Sequence, residues 1–251
     1  MEWTDVGLVL GARRLGEADA LVELMTVAHG RHLGVVKGGR SQRRAAGLQV
    51  GNSVRAVWRA RLDEHVGTFA VETLDARGAA LMADPLGLNA VQTLAAHFRL
   101  LPERDPHPDL LYAALAILAR LDDPGPAAAR LVRFELAVIE ALGFGLDLTT
   151  CALTGTSDDL AWVSPATGRA AGRAAGLPWA DRLLALPAFL VAAPIEAARD
   201  ESPPLADLLA GFRLTGHFLA RHVWEARGID PPATREGFLA ALARVGAKAR
   251  A

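Results

Sequence analysis

A single cysteine, Cys151, stands in a chain of 251 residues. Structural zinc takes about four ligands, many of them thiolates, and a disulfide framework takes pairs. Neither organises this fold through sulfur, and such usage fits a reducing compartment, the cytoplasm. Lysine is nearly missing too, with 2 of the 27 cationic side chains against 25 arginines. A GC-rich genome produces the same bias, so the choice of arginine over lysine carries no functional weight here. Net charge is also lacking: 27 basic and 28 acidic side chains give −1, and bulk electrostatics selects no partner. The longest uncharged apolar stretch, between Arg182 and Glu196, has 13 residues and includes Pro187 and Pro194. That is short of the ~20 needed to cross a bilayer. The opening Met1-Glu2-Trp3-Thr4-Asp5 carries acid where an export signal carries base, which predicts no secretion.

Catalytic signatures are missing as well. There is no G-x-S-x-G elbow, no G-x-x-x-x-G-K-[ST] loop and no H-E-x-x-H helix. Gly34 to Gly39 fits neither a phosphate loop nor a dinucleotide fingerprint. His29 and His32 have no cysteine or carboxylate beside them in sequence, and His217 and His222 do not share a helix face. The reading is a non-enzyme with no cofactor and no metal.

What is present is a charge asymmetry. Residues 1–80 hold 11 basic and 9 acidic side chains, and Arg31 to Arg61 contains eight cations and no acid. The same segment reads as strands. Val6, Leu8 and Leu10 alternate with Gly7, Val9 and Gly11, a period of two. Ala20 to Thr26, His32 to Val36, Ser53 to Arg61 and Thr68 to Leu74 make four more. Five short strands suit a small closed barrel over residues 1–80, although chain length alone also allows a meander. From Asp84 the period turns helical. Asp84 with Pro85 caps a helix to about Leu101, Asp109 to Leu121 makes another, and Asp122-Asp123-Pro124 opens a third to Leu142. Residues 145–177 read as irregular, and further helical stretches begin at Pro178, Pro203 and Thr234. The fold class is α+β: a five-stranded N-terminal barrel, then a helical domain over 81–251.

Alternation along the strand from Ser53 puts Val54, Ala56, Trp58 and Ala60 on one face and Arg55, Val57, Arg59 and Arg61 on the other. Same-face side chains recur about every 6.6 Å. Arginines in such a row repel one another mildly, and a polyanion offsets that repulsion. Lys37, Arg40, Arg43 and Arg44 lie in the glycine-containing loop before this strand, so these seven cations are the predicted phosphate-binding residues. A solvated edge strand protected by charge is the alternative. Trp58 belongs to the apolar face. Binding without base stacking is mainly electrostatic, sequence-tolerant and salt-dependent.

Several blocks then resemble the RecO family of bacterial DNA repair proteins. Gly7 to Asp19 (GLVLGARRLGEAD) is similar to its start, as is Thr26 to Gly39 (TVAHGRHLGVVKGG). Arg133-Phe134-Glu135-Leu136, Leu142 to Leu148 (LGFGLDL), Cys151 to Gly155 (CALTG), Val163-Ser164-Pro165 with Gly168-Arg169, and Leu183 to Pro187 follow in family order. The resemblance implies an OB-fold barrel before a helical domain. It also implies a non-enzymatic role in repair and recombination: binding single- and double-stranded DNA, annealing complementary strands, and helping load RecA onto strands coated by single-strand-binding protein. Implied partners are RecR and the acidic C-terminal tail of the single-strand-binding protein, and the implied location is the cytoplasm, at the nucleoid. Some members carry a four-cysteine zinc site after the LGFGL block; here only Cys151 remains, so residues 145–177 must hold together without it. Arg130 and Arg133 flank the Leu131/Phe134 stripe and could rim an apolar pocket for an acidic tail with a terminal aromatic carboxylate. Equally, Phe134 could be ordinary core. Arg169 and Arg173 are weaker candidates for DNA contact. An OB-containing RNA-binding adaptor is the alternative that the basic strand by itself permits.

Overall fold

The computed structural model describes residues 1–62, 64–191 and 202–248. Contacts divide the chain into two compact units: Met1–Leu118 with Thr234–Phe238, and Ala119–Ala233 with the described residues from Leu239 onward. The first unit is therefore larger than residues 1–80, because helices that follow the strands pack with them.

In that unit five strands carry the expected alternation: β1 (Glu2–Leu15), β2 (Asp19–Thr26), β3 (Gly30–Val36), β4 (Ser53–Arg59) and β5 (Thr68–Asp75). They pair in the order β1-β2-β3-β5-β4, and β4 returns to β1, so the sheet curls into a ring. Four seams are antiparallel ladders. The fifth, between β3 and β5, is a single parallel pair, Val35↔Thr68. The result is an OB-like five-stranded sheet, nearly open at one seam rather than evenly zipped.

The ring is filled from the apolar face of each strand. Val54, Ala56 and Trp58 of β4 meet Val9, Val22 and Leu24 inside it, all of them fully buried. Trp58 donates its indole N–H to the Val66 carbonyl at 2.9 Å, which satisfies the one polar group that its burial removes from water. A Cβ on Gly34 would overlap the Phe69 ring, so β3 carries glycine where that ring crosses it.

Between β3 and β4 the expected loop contains a short helix, α1 (Gln42–Gly47). Its placement depends on Asn52, which is buried. The Asn52 Nδ2 donates to the carbonyls of Ala46 at 2.9 Å and Gly47 at 3.1 Å. Its Oδ1 accepts from the amide of Gly78 at 2.8 Å, the first residue of α2 (Gly78–Ala83). One side chain thus satisfies exposed backbone groups at the end of one helix and the start of the next. Asn52→Ala strands the buried Gly78 amide and leaves two part-buried carbonyls to water, and the expected cost is about 2 kcal/mol. Urea denaturation checks it; a loss below about 1 kcal/mol would show that α1 is held by other contacts. Helices α3 (Pro85–Phe98) and α4 (Pro108–Leu118) complete the unit. Asp84 caps α3 as expected, accepting from the Gly87 amide at 2.9 Å. Thr234, at the start of α9 (Ala233–Lys248), reaches Thr93 of α3 with the two hydroxyls 3.2 Å apart.

The second unit is mainly helical. It contains α5 (Pro124–Ala141), α6 (Arg173–Gly176), α7 (Leu205–Leu219), a π turn over Ala220–Trp224, α8 (Glu225–Arg227) and the rest of α9. The segment 145–177 is less irregular than its composition suggests. Strands β6 (Leu160–Val163) and β7 (Ala170–Gly172) pair within it, and β8 (Leu184–Ala185) adds to β6. With 4, 3 and 2 residues, these strands are too short to show a period. Beside them Cys151 is buried, and its Sγ accepts from the Gly172 amide at 3.2 Å. Hydrogen bonds from the Thr154 hydroxyl and the Gly172 amide pull this thiol down to about 7. Among the described residues no helix is long and apolar enough to cross a membrane.

Candidate nucleic-acid interface

The predicted cations come from three local structures. Lys37 and Arg40 sit in the turn after β3, where Gly38 adopts φ +61°, a left-handed conformation that glycine takes without a Cβ clash. Asp19 ties this turn down: it accepts from the Gly38 amide at 2.8 Å and from Lys37 Nζ at 2.8 Å. The Lys37 hydrogen bond, then that amide, hold the Asp19 carboxyl below its ordinary range. Arg43 and Arg44 project from α1, and Arg44 donates back to the Lys37 carbonyl. Arg55 and Arg59 stand on the outer face of β4, while Arg61 lies just past its end.

A groove of about 760 Å³ between α1 and the β4–β5 face collects Lys37, Arg43, Arg44 and Arg59. Val57 and Val71 form part of its floor, and Glu72 is its one carboxylate. Arg40, Arg55 and Arg61 lie outside it. Four of the seven predicted cations are thus brought together on one concave surface. Phe69 also borders the groove but is buried, so no exposed ring offers a stacking platform.

The arginine row on β4 needs correction. It faces outward, but it is not a bare row of charge. Antiparallel register sets Glu72 opposite Arg55 and Glu2 opposite Arg59. Arg55 Nη1 meets Glu72 at 3.1 Å and Arg59 Nη2 meets Glu2 at 2.9 Å. The Arg59 hydrogen bond holds the Glu2 carboxyl below its ordinary range, and Glu2 raises Arg59 in turn. Both pairs are exposed, so each adds little to stability and can exchange for another anion. Arg43 and Arg61 are different: among the described residues no carboxylate lies within hydrogen-bonding reach of either. The unmatched charge therefore sits on and beside α1 rather than along β4.

The tail-binding reading is corrected more sharply. On α5, Phe134 is completely buried, and Arg133 is 5% exposed. Arg133 donates to the Phe189 carbonyl at 2.8 Å and lies over the Phe189 ring, 5.3 Å from its centroid. Neither side chain is available to rim a surface pocket; Arg130 alone of the three keeps partial exposure. Arg169 and Arg173 also find carboxylates, Asp147 at 3.5 Å and Asp159 at 3.1 Å.

Sequence reasoning missed Arg13 and Arg14, exposed near the end of β1, and the anchoring role of Asn52. The two arginines are adjacent in sequence but precede the acid-free run from Arg31 to Arg61 and are separated from it by Glu17, Asp19 and Glu23. Asn52 follows a glycine and reads as an ordinary turn residue.

An OB-like sheet that carries a basic groove, followed by a helical unit, defines the class by architecture: an α+β protein with an N-terminal OB-like sheet and a C-terminal helical domain. Comparison with known proteins makes this specific. The family described as "Recombination protein O N terminal" matches residues 1–77, and "Recombination protein O C terminal" matches residues 98–227. The chain is 57% identical over 240 residues to the DNA repair protein RecO of Methylobacterium nodulans, covering 96% of this chain and 97% of that one. It is 56% identical over 244 residues to that of a Chelativorans species, covering 97% and 96%. For Brucella melitensis the figures are 51% over 244 residues, with 97% of each chain covered. The chain belongs to the RecO family of DNA repair proteins.

Proposed function

We propose that this RecO-family chain acts without catalysis as a recombination mediator. It binds single- and double-stranded DNA, anneals complementary strands, and assists loading of RecA onto strands coated by single-strand-binding protein. It works in the cytoplasm at the nucleoid, with RecR and the acidic tail of the single-strand-binding protein as protein partners. The observation that carries this reading is the groove beside α1, whose lining gathers four cations and one carboxylate; Arg43 and Arg44 meet no carboxylate among the described residues, while Lys37 and Arg59 pair with Asp19 and Glu2 at its edge. A phosphodiester chain laid there replaces Asp19 and Glu2 as the counter-charges of Lys37 and Arg59 and releases its own condensed ions. For single strands the logarithm of affinity falls by about 0.7 per neutralised phosphate for each logarithm of salt, so four contacts give a slope of about −3. Neutralising one strand lowers its repulsion for a complement, and with no stacked ring in the groove the bases stay free to pair.

The test is annealing of complementary oligonucleotides in nucleotide-free buffer. The protein is expected to accelerate it, with a rate that falls steeply as salt rises. No acceleration, together with a preference for structured RNA over DNA, would overturn the reading in favour of an RNA-binding adaptor.

A further inference from the structure

We infer that a second groove, on the opposite side of α1, holds a second nucleic-acid strand. It rests on the DNA-binding reading above and adds to it where the second strand lies. This groove, about 430 Å³, is lined by Arg13, Arg14 and Arg40, with Ala45, Leu48 and Met82 among its apolar residues. Its lining contains no carboxylate.

The charge in it is unspent. Among the described residues, no carboxylate lies within 4 Å of Arg13, Arg14 or Arg40. Arg40 is instead held by the carbonyls of Gly16 and Glu17 in the β1–β2 turn. Carbonyl oxygens orient a guanidinium without cancelling its charge. Five other arginines of the unit are matched: Arg31 and Arg99 meet Glu23, Arg77 meets Asp75, and Arg55 and Arg59 meet Glu72 and Glu2. Five arginines without such a match, Arg13, Arg14, Arg40, Arg43 and Arg44, line these two grooves.

Helix geometry sets the grooves back to back. At about 100° per residue, Arg43, Arg44 and Gly47 face one way and Ala45 roughly the other, with Leu48, at the end of the helix, between them. The first set lines the first groove and Ala45 lines the second, while Leu48 borders both. A helix with side chains is about 10–12 Å across. Two backbones lying on either side of α1 are thus separated by about the width of a B-DNA major groove, ~12 Å. The apolar floor suits sugar and base faces, and Met82, 47% exposed, supplies part of it. One strand in each groove places two complements side by side with their repulsion offset on both.

The test uses the full chain with Arg13→Ser and Arg14→Ser together, compared with Arg43→Glu and Arg44→Glu. Titration with an oligothymidylate of about 15 nucleotides should show two strands bound per wild-type chain at low salt and one per Ser variant. First-strand affinity of the Ser variant should stay within about twofold, and its annealing rate should fall about tenfold or more. Unchanged melting temperature guards against misfolding. Wild-type stoichiometry of one, or a Ser variant that anneals at the wild-type rate, overturns the second-strand site while leaving the first groove standing. If the Ser variant instead loses only an acidic peptide and anneals normally, the groove belongs to a protein partner. Absence of oligonucleotide binding by the wild-type chain would remove both readings.

Discussion

Reversing Arg43, Arg44 and Arg59 to glutamate together is expected to weaken single-strand binding about a hundredfold at ~0.1 M salt and to flatten its salt dependence by about two units of slope. Three phosphate contacts at about 0.7 each account for the flattening, and the new carboxylates then repel the strand. Folding should survive. All three side chains are exposed, α1 contributes no buried residue, and the Arg59–Glu2 pair lies in solvent, where such pairs stabilise little. Glutamate at residue 59 would face Glu2 across the β1–β4 ladder, a mild destabilisation that a melting curve detects. Glu2→Gln is the informative companion. It removes a competitor for Arg59 without touching any cation, and binding should strengthen by about two- to threefold, since one exposed pair no longer has to exchange. A triple variant that binds normally at low salt would move the site away from α1 altogether. A Glu2→Gln variant that binds more weakly would mean that the pair positions Arg59 rather than competing for it.

The strand pattern was legible because each β4 side chain alternates between a filled interior and solvent: Val54, Ala56 and Trp58 inward, Arg55 and Arg59 outward. That arithmetic needs only the two-residue period of a strand. It does not say what stands opposite. Glu72 is 17 residues from Arg55, and Glu2 is 57 residues from Arg59, so the neutralising partners emerge only once register is known. Helix α1 escaped for another reason. It has 6 residues, and Ser41 makes no side-chain cap; a single polar turn shows neither periodicity nor a start signal. Asn52, which anchors it, acts entirely through backbone groups of Ala46, Gly47 and Gly78. The groove is therefore a product of ring closure plus one buried amide, while its cations were readable as a run without acid. Arg13 and Arg14 became part of the picture only because the β1–β2 hairpin carries them to the other side of α1.

Phe134→Ala is expected to cost about 3–5 kcal/mol of stability, the behaviour of a core ring rather than of a peptide pocket. Leu131, Phe134 and Val138 fall on one stripe of α5 and are all fully buried, so truncation leaves a cavity that packed neighbours fill only in part. On the helical wheel Arg133 is about 100° from Phe134 and reads as a surface cation. Phe189 is part of what buries it, accepting its N–H and presenting a ring to its guanidinium. Periodicity along one helix cannot anticipate a cover that arrives 56 residues later. For a chain of this size the Phe134 loss corresponds to a fall in melting temperature of about 10 °C, and Phe134→Leu, which keeps most of the volume, should lose well under half of that. The measurement is thermal and urea unfolding of the three proteins, alongside binding of an acidic peptide ending in phenylalanine. If Phe134→Ala melts like the wild type and yet loses the peptide, α5 does present an open pocket and the buried assignment fails. If stability falls and Phe134→Leu restores both stability and binding, the ring is structural and the tail engages a different surface.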